Sequence, residues 1–256
     1  MRLNRLMSAL AAGAILLLAG ATQAAAQGAA PEDNVFLQLN VGGQAGSHTL
    51  TQQGTFDIYD DQATFSDAIK VGGGGVFDIG GGVRVWGSNL YAGVSYTHFS
   101  DKSDAIVAGS IPHPVRFLDP FRNVSGTANG LKHSENQIHI DAVWKQPITT
   151  QFDLSVFLGP TIFNVKQDVV TGITVNEVGP PYTEATLAGI TTERASKSSG
   201  GFNIGVDGTY MFTPMIGAGA LIRFVTGSVD MPNGSNATTK LDLGGVQFGV
   251  GVRVRF

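Results

Sequence analysis

The chain has 256 residues, with 20 acidic and 16 basic side chains, 35 glycines and no cysteine. The lack of cysteine excludes a disulfide framework and a thiolate metal site, and a net charge of −4 argues against a nucleic-acid partner, which would want a basic patch. Beyond residue 26 no apolar run reaches the roughly 18 residues of a spanning helix, so a membrane could be crossed only by strands closed into a barrel.

The N-terminus reads as a secretory signal peptide, residues 1–26. Arg2 and Arg5 form a basic start, Ala9 to Ala21 an apolar core, and Ala24-Ala25-Ala26 before Gln27 a small-residue cleavage site between Ala26 and Gln27. The core is too short for an anchor that must span about 20 residues. Residues 27–256 are expected to form a single domain.

Eight segments then alternate with period two, which places one apolar face on each of eight strands. Val35–Gln44 carries Val35, Leu37, Leu39 and Val41 on that face. Val76–Trp86 carries Phe77, Ile79, Val83 and Val85, opposite Asp78, Gly80, Gly82 and Arg84. Leu90–Phe99 carries Leu90, Ala92, Val94 and Tyr96. Gln137–Lys145 carries Ile138, Ile140, Ala142 and Trp144, opposite His139, Asp141 and Lys145. Phe152–Val165 carries Phe152, Leu154, Val156 and Leu158, with a slip of phase near Pro160 that suggests a bulge or an edge of the membrane zone. Gly201–Thr213 carries Phe202, Ile204, Val206, Tyr210 and Phe212. Ile216–Val225 carries Ile216, Ala218, Ala220, Ile222 and Phe224. The last run sets Val246, Phe248, Val250, Val252, Val254 and Phe256 against Gln247, Gly249, Gly251, Arg253 and Arg255.

The connectors alternate in length. Those at 86–90, 147–152 and 213–216 are short, and those at about 46–72, 100–134, 167–198 and 229–243 are long, polar and glycine-rich. Short turns on one side and long loops on the other are the pattern of an all-β, eight-stranded antiparallel up-and-down transmembrane barrel, with periplasmic turns and extracellular loops. Thr55–Phe65 and Ala105–Val115 keep some alternation, so strands could continue beyond the membrane as hairpins. A soluble eight-stranded barrel would not aim charges at its centre.

Parity places Asp78, Arg84, His139, Asp141, Lys145, Asp153, Asp207, Arg223, Arg253 and Arg255 in the lumen. An interior just wide enough for side chains requires such charges to be paired. A structural ion-pair network is the expectation; a narrow solute path is the alternative. Trp144, Phe152, Tyr210, Phe212 and Phe256 lie outward near the short turns, as an interfacial girdle would.

Two places carry catalytic residue types. His98 and Ser100 share a face, and His98-Phe99-Ser100-Asp101 is similar to part of the His-x-Ser-Asn signature of outer-membrane lipid A deacylases, with Asp101 in place of Asn. His133-Ser134-Glu135 has triad chemistry, but neighbours in a strand point to opposite faces. No cofactor is expected: the glycines at 72–75 and 80–82 lack nucleotide-loop spacing, and the five histidines lack zinc spacing.

The terminal Phe256 with Phe248 eight residues earlier resembles the C-terminal assembly signal of bacterial outer-membrane barrels. Taken with the leader and the loop alternation, the chain resembles the small eight-stranded barrels of the OmpA, OmpX and opacity-protein group. That resemblance implies a monomeric, non-catalytic protein of a Gram-negative outer membrane. It implies insertion by the barrel-assembly machinery, contact with outer-membrane lipid and lipopolysaccharide, and loops that meet a host or surface ligand. A narrow porin and a lipid A-modifying enzyme are the alternatives.

Overall fold

The computed structural model describes residues 33–116, 121–232 and 238–256; the segment expected as a signal peptide, with Ala26 and Gln27, lies outside the described residues. Ten strands form one antiparallel sheet: β1 (Val35–Ala45), β2 (His48–Ile58), β3 (Asp61–Val71), β4 (Gly74–Trp86), β5 (Leu90–Ile111), β6 (Arg122–Pro147), β7 (Phe152–Glu177), β8 (Ala185–Met211), β9 (Ile216–Pro232) and β10 (Thr238–Arg255). Eight of them close a ring in the order β1-β4-β5-β6-β7-β8-β9-β10, with β10 pairing back on β1 from Phe36↔Arg255 to Ala45↔Val246. The closure is fastened by Phe256, whose carbonyl accepts the amides of Asn34 and Val35 at 2.8 Å.

In the lower half of the ring the apolar face points away from the protein. Leu39, Ile79, Val94, Ile140, Leu158, Ile204 and Ile222 are exposed, and Val250 is 61 % exposed. The opposite face is buried and polar. Inward glycines let the walls approach closely. A Cβ on Gly251 would come within 1.7 Å of the Leu39 carbonyl oxygen, and one on Gly42 within 1.9 Å of that of Phe248.

The segments expected as long loops are largely strand. β2 and β3 form a hairpin turned by Tyr59 and Asp60, both at positive φ, and β3 pairs with β5 from Thr64↔Ser110 to Ile69↔Ala105. β6 and β7 run for 26 residues each and β8 for 27. A tilted strand crosses a bilayer in about 9–11 residues, so these three project well beyond it.

Along the way the pattern inverts. On β7 the outward residues change from Leu158 and Ile162 to Asn164 and Lys166, while the buried ones change from Asp153 and Thr161 to Phe163, Val165 and Val169. The change of phase expected at Pro160 does not occur. Odd-numbered residues stay inward from Asp153 to Val169, and the register shifts only later, between Val170 and Gly172. Pro160 interrupts the ladder instead: β6–β7 pairing skips from His139↔Thr161 to Ala142↔Leu158 in unchanged register, as expected of a residue without an N–H. What changes near Pro160 is the medium outside the wall, from hydrocarbon to water.

The upper half therefore has an ordinary apolar core. Leu50, Phe65, Ile69, Val107, Phe163, Val165, Val225, Met231, Leu241 and Leu243 are buried together. Around it the wall divides: β6–β7 pairing stops at His133↔Gln167 and β8–β9 pairing at Gly201↔Gly227. A four-stranded β2-β3-β5-β6 sheet and the β7–β8 and β9–β10 ribbons enclose the core.

The lumenal network as candidate functional site

Strand parity delivers the inward side chains in tiers. At the lower rim Lys145 joins Asp33 and stands 3.6 Å from Asp153, which also takes Arg255 Nη1 at 2.7 Å. Tyr91 donates to the Asp33 carbonyl at 2.8 Å, and the Lys145 ammonium lies 5.7 Å from the centre of its ring. Arg84 sits on the inward parity of β4 at this rim, half-buried, with its guanidinium on Asn34.

One tier higher Arg253 pairs with Asp207 and donates to Asn40 Oδ1 at 2.7 Å, while Thr209 donates to Asp207 at 2.8 Å. Asn40 Nδ2 in turn donates to Asp78 Oδ1 at 2.7 Å. Asp78 Oδ2 accepts from Thr97 at 2.8 Å and from Arg223 Nη1 at 2.9 Å, and both charges are 1 % exposed. Arg223 also reaches Ser95 at 3.0 Å, and its guanidinium lies 5.2 Å from the centre of the Phe157 ring. Asn203 donates to Asp141 at 2.8 Å, and His139 bonds Thr161 at 2.8 Å and Thr97 at 3.1 Å.

Above these lies an amide tier. Gln247 donates to Gln44 at 2.8 Å and to Gln137 at 2.9 Å, Gln137 donates to Glu135 at 2.7 Å, and His133 lies between Glu135 at 3.0 Å and Gln167 at 2.7 Å. The apolar core caps this tier. At the far mouth the buried Arg122 pairs with Glu177, which also accepts from Tyr59 at 2.7 Å. The Arg122 guanidinium holds the Glu177 carboxyl below its ordinary range, and the hydrogen bond to Glu177 raises Arg122 itself.

Several members were missed by a reading confined to ionisable groups on expected strands. Asp33 precedes the first strand and has no parity to read. His133 fell in a presumed loop, and Glu135 between that loop and the next expected strand. Asn40, Thr97 and Asn203 carry no charge, yet they bridge the charged tiers. Only alternation into the lumen could have flagged them.

The arrangement neutralises charge. Between Phe36, Asp141, Phe157, Asp207 and Arg223 the tiers leave a cavity of about 40 Å³. Among the described residues no three His, Cys, Asp or Glu side chains converge as metal ligands would.

Of the two groups suggestive of catalysis, one separates and the other keeps its shared face. His98 and Ser100 both lie on the outer wall, where His98 Nδ1 bonds Asn136 Oδ1 at 2.8 Å and Ser100 is exposed opposite Ser134. His133 and Glu135 are buried inward, while Ser134 accepts from Arg194 at 3.2 Å on the outside.

A closed antiparallel ring with an apolar exterior and a charged interior is a transmembrane β-barrel. No protein-family model matches the chain, and no curated protein does. Three solved structures illustrate its likeness to known barrels. Neisserial surface protein A is 13 % identical at a TM-score of 0.43, over 87 % of this chain and 97 % of its own. OprG from Pseudomonas aeruginosa is 10 % identical at 0.43, over 89 % and 98 %. The outer membrane protease OmpT from Escherichia coli is 9 % identical at 0.42, over 90 % and 99 %.

Proposed function

We propose that the chain is a non-catalytic, monomeric barrel of a Gram-negative outer membrane, with a structural and surface-directed role. The observation that carries this is the inversion of polarity along continuous strands. The lower wall is built for lipid, and the upper wall is a water-exposed body with its own core. The interior is committed to charge pairs, amides and apolar packing, so the free surface outside the membrane is what remains for recognition.

In this reading outer-membrane lipid and lipopolysaccharide surround the belt. The barrel-assembly machinery engages Phe248 and Phe256, which face outward on the closing edge. A host or surface ligand meets the projecting strands, and no nucleic acid is involved. The separation of Ser134 from His133 and Glu135 supports a role without catalysis. The test is purification from outer membranes, gel mobility with and without boiling, and a planar-bilayer recording on the same sample. A mobility shift on boiling with a silent bilayer is expected. An unshifted band contradicts the barrel, and steady channels contradict the sealed lumen.

A further inference from the structure

We propose that the outer face of the β2-β3-β5-β6 sheet docks an uncharged polysaccharide. This names a partner class for the surface-directed role above and rests on that reading. The registers set the outward side chains of the four strands in rows. Thr55, Thr64, Ser110 and Asn123 stand side by side in one row. Gln53, Ser66, Ala108 and Ser125 form the next, and Thr51, Ala68, Ile106 and Thr127 the one below. Neighbouring strands lie about 4.8 Å apart, and same-face residues along a strand about 6.7 Å. Hydroxyls and amides therefore form a regular lattice. A concavity of about 500 Å³ lies over the first two rows and touches all eight of their residues, a size in the range of small-ligand sites. At Asn123 it adjoins a second, of about 630 Å³, whose wall includes the 51 % exposed ring of Phe121.

The three rows hold twelve outward positions, where about three or four charged side chains would be ordinary; they hold none. On this face Lys70 and Asp104 lie below the third row and Asp57 above the first. Without cations the lattice offers nothing to a nucleic acid, a phosphate group or a sulfated glycan. Glu184 on the wall of the second concavity repels them, and Arg122 there is committed to Glu177. Protein partners are held by clusters of aromatic and arginine anchors, which one exposed ring does not supply. Hydroxyls and amides, by contrast, both donate and accept. The side chains of Thr55, Thr64, Ser66, Ser110, Asn123 and Ser125 make no hydrogen bond within the chain among the described residues. A neutral glycan offers the same groups in return, and the C–H faces of its rings suit Ala108, Ile106 and the Phe121 ring. From Val94 in the belt to Ser110, β5 climbs about 40 Å if tilted by about 40°. That height assigns the site to a polysaccharide outside the membrane rather than to the sugars of a surrounding lipid.

The test uses the full mature chain folded in micelles of a detergent without a sugar headgroup, checked by its mobility shift. Isothermal titration calorimetry is run with neutral hexasaccharides of glucose, mannose and N-acetylglucosamine, and with a heparin hexasaccharide. Binding of a neutral hexasaccharide is expected, unchanged as salt is raised, with heparin left unbound. Each lost hydrogen bond is worth roughly fivefold in affinity, so Thr64→Val with Ser110→Ala should weaken binding about 25-fold, while Thr192→Val on β8 leaves it unchanged. Phe121→Ala, outside the strands, should also weaken binding and decides the matter if the double variant does not fold. Silence of all the neutral hexasaccharides, preference for heparin, no loss in these variants, or an equal loss in Thr192→Val would overturn the proposal. A sample with no mobility shift fails the barrel reading itself, whereas a shifted sample that binds no neutral glycan fails only this face.

Discussion

Gln52 and Asp67 stand directly opposite one another on the β2–β3 hairpin, both buried against the upper apolar core, at 0 % and 3 % exposure. Gln52 Nε2 donates to the Pro232 carbonyl at 2.9 Å, but its Oε1 and both carboxylate oxygens of Asp67 have no donor. Three acceptors in an apolar setting favour a proton on Asp67, because a neutral acid is far cheaper to bury than an unpaired carboxylate.

Stability should follow that proton. Burial pushes the Asp67 carboxyl from its ordinary 3.8 to about 7. The folded state therefore holds the proton more tightly than the unfolded chain. The associated stability is complete below about pH 4 and is lost progressively as pH rises to about 7, by an amount on the order of 4 kcal/mol. Asp67→Asn keeps the shape, offers a donor to Gln52 and removes the titration. Urea unfolding in micelles should show the unaltered protein weakening between pH 4 and pH 7 relative to the variant; a pH-independent difference between the two would refute this.

Arg223 and Asp78 form a buried pair, each 1 % exposed. Arg223→Leu leaves Asp78 with its bonds from Asn40 and Thr97 but no counter-charge, and should cost about 3–5 kcal/mol. Arg223→Leu with Asp78→Leu should recover most of that loss, because two desolvated charges leave together. A double variant no better than the single would show that the network, not the pair, is the unit.

Gly251 is held to its size by the Leu39 carbonyl, 1.7 Å from where a Cβ would lie. Gly251→Ala must push apart the β1–β10 seam that closes the ring, at a cost of about 1–3 kcal/mol. Gly75, with nothing within 4 Å of its Cβ position, is the control. Gly251→Ala should lower the urea midpoint and slow refolding, and Gly75→Ala should do neither.

Conductance should be absent both from the unaltered protein and from Arg253→Ala. Removing Arg253 empties one tier, but the apolar core around Phe163, Val165 and Leu243 still lies above it. Steady channels in Arg253→Ala alone would mean that the ionic tier, and not the core, is the seal.

The lower barrel was readable because lipid enforces one rule on every strand. Val246 to Phe256 alternates without a break, and the same parity places Arg223, Arg253 and Arg255 inward. The upper body was not, because that rule reverses there. Leu241 and Leu243, or Phe163 and Val165, also alternate, but with their apolar members on the lumenal parity, so a search for outward apolar faces ends where water begins. Shifts between Ser103 and Ala105 and between Val170 and Gly172 break the period further. Thr64, Ser110 and Asn123 were visible as residues, but only the register sets them side by side.

The account turns on which medium touches each half of the wall. The chain has no cysteine, so single cysteines can report the answer. Spin labels at Val250→Cys and Thr192→Cys in reconstituted vesicles should diverge: the first relaxed by oxygen and shielded from a water-soluble nickel chelate, the second relaxed by the chelate. A Val250→Cys label as open to the chelate as the one at position 192 would contradict a lipid-facing belt and the account built on it.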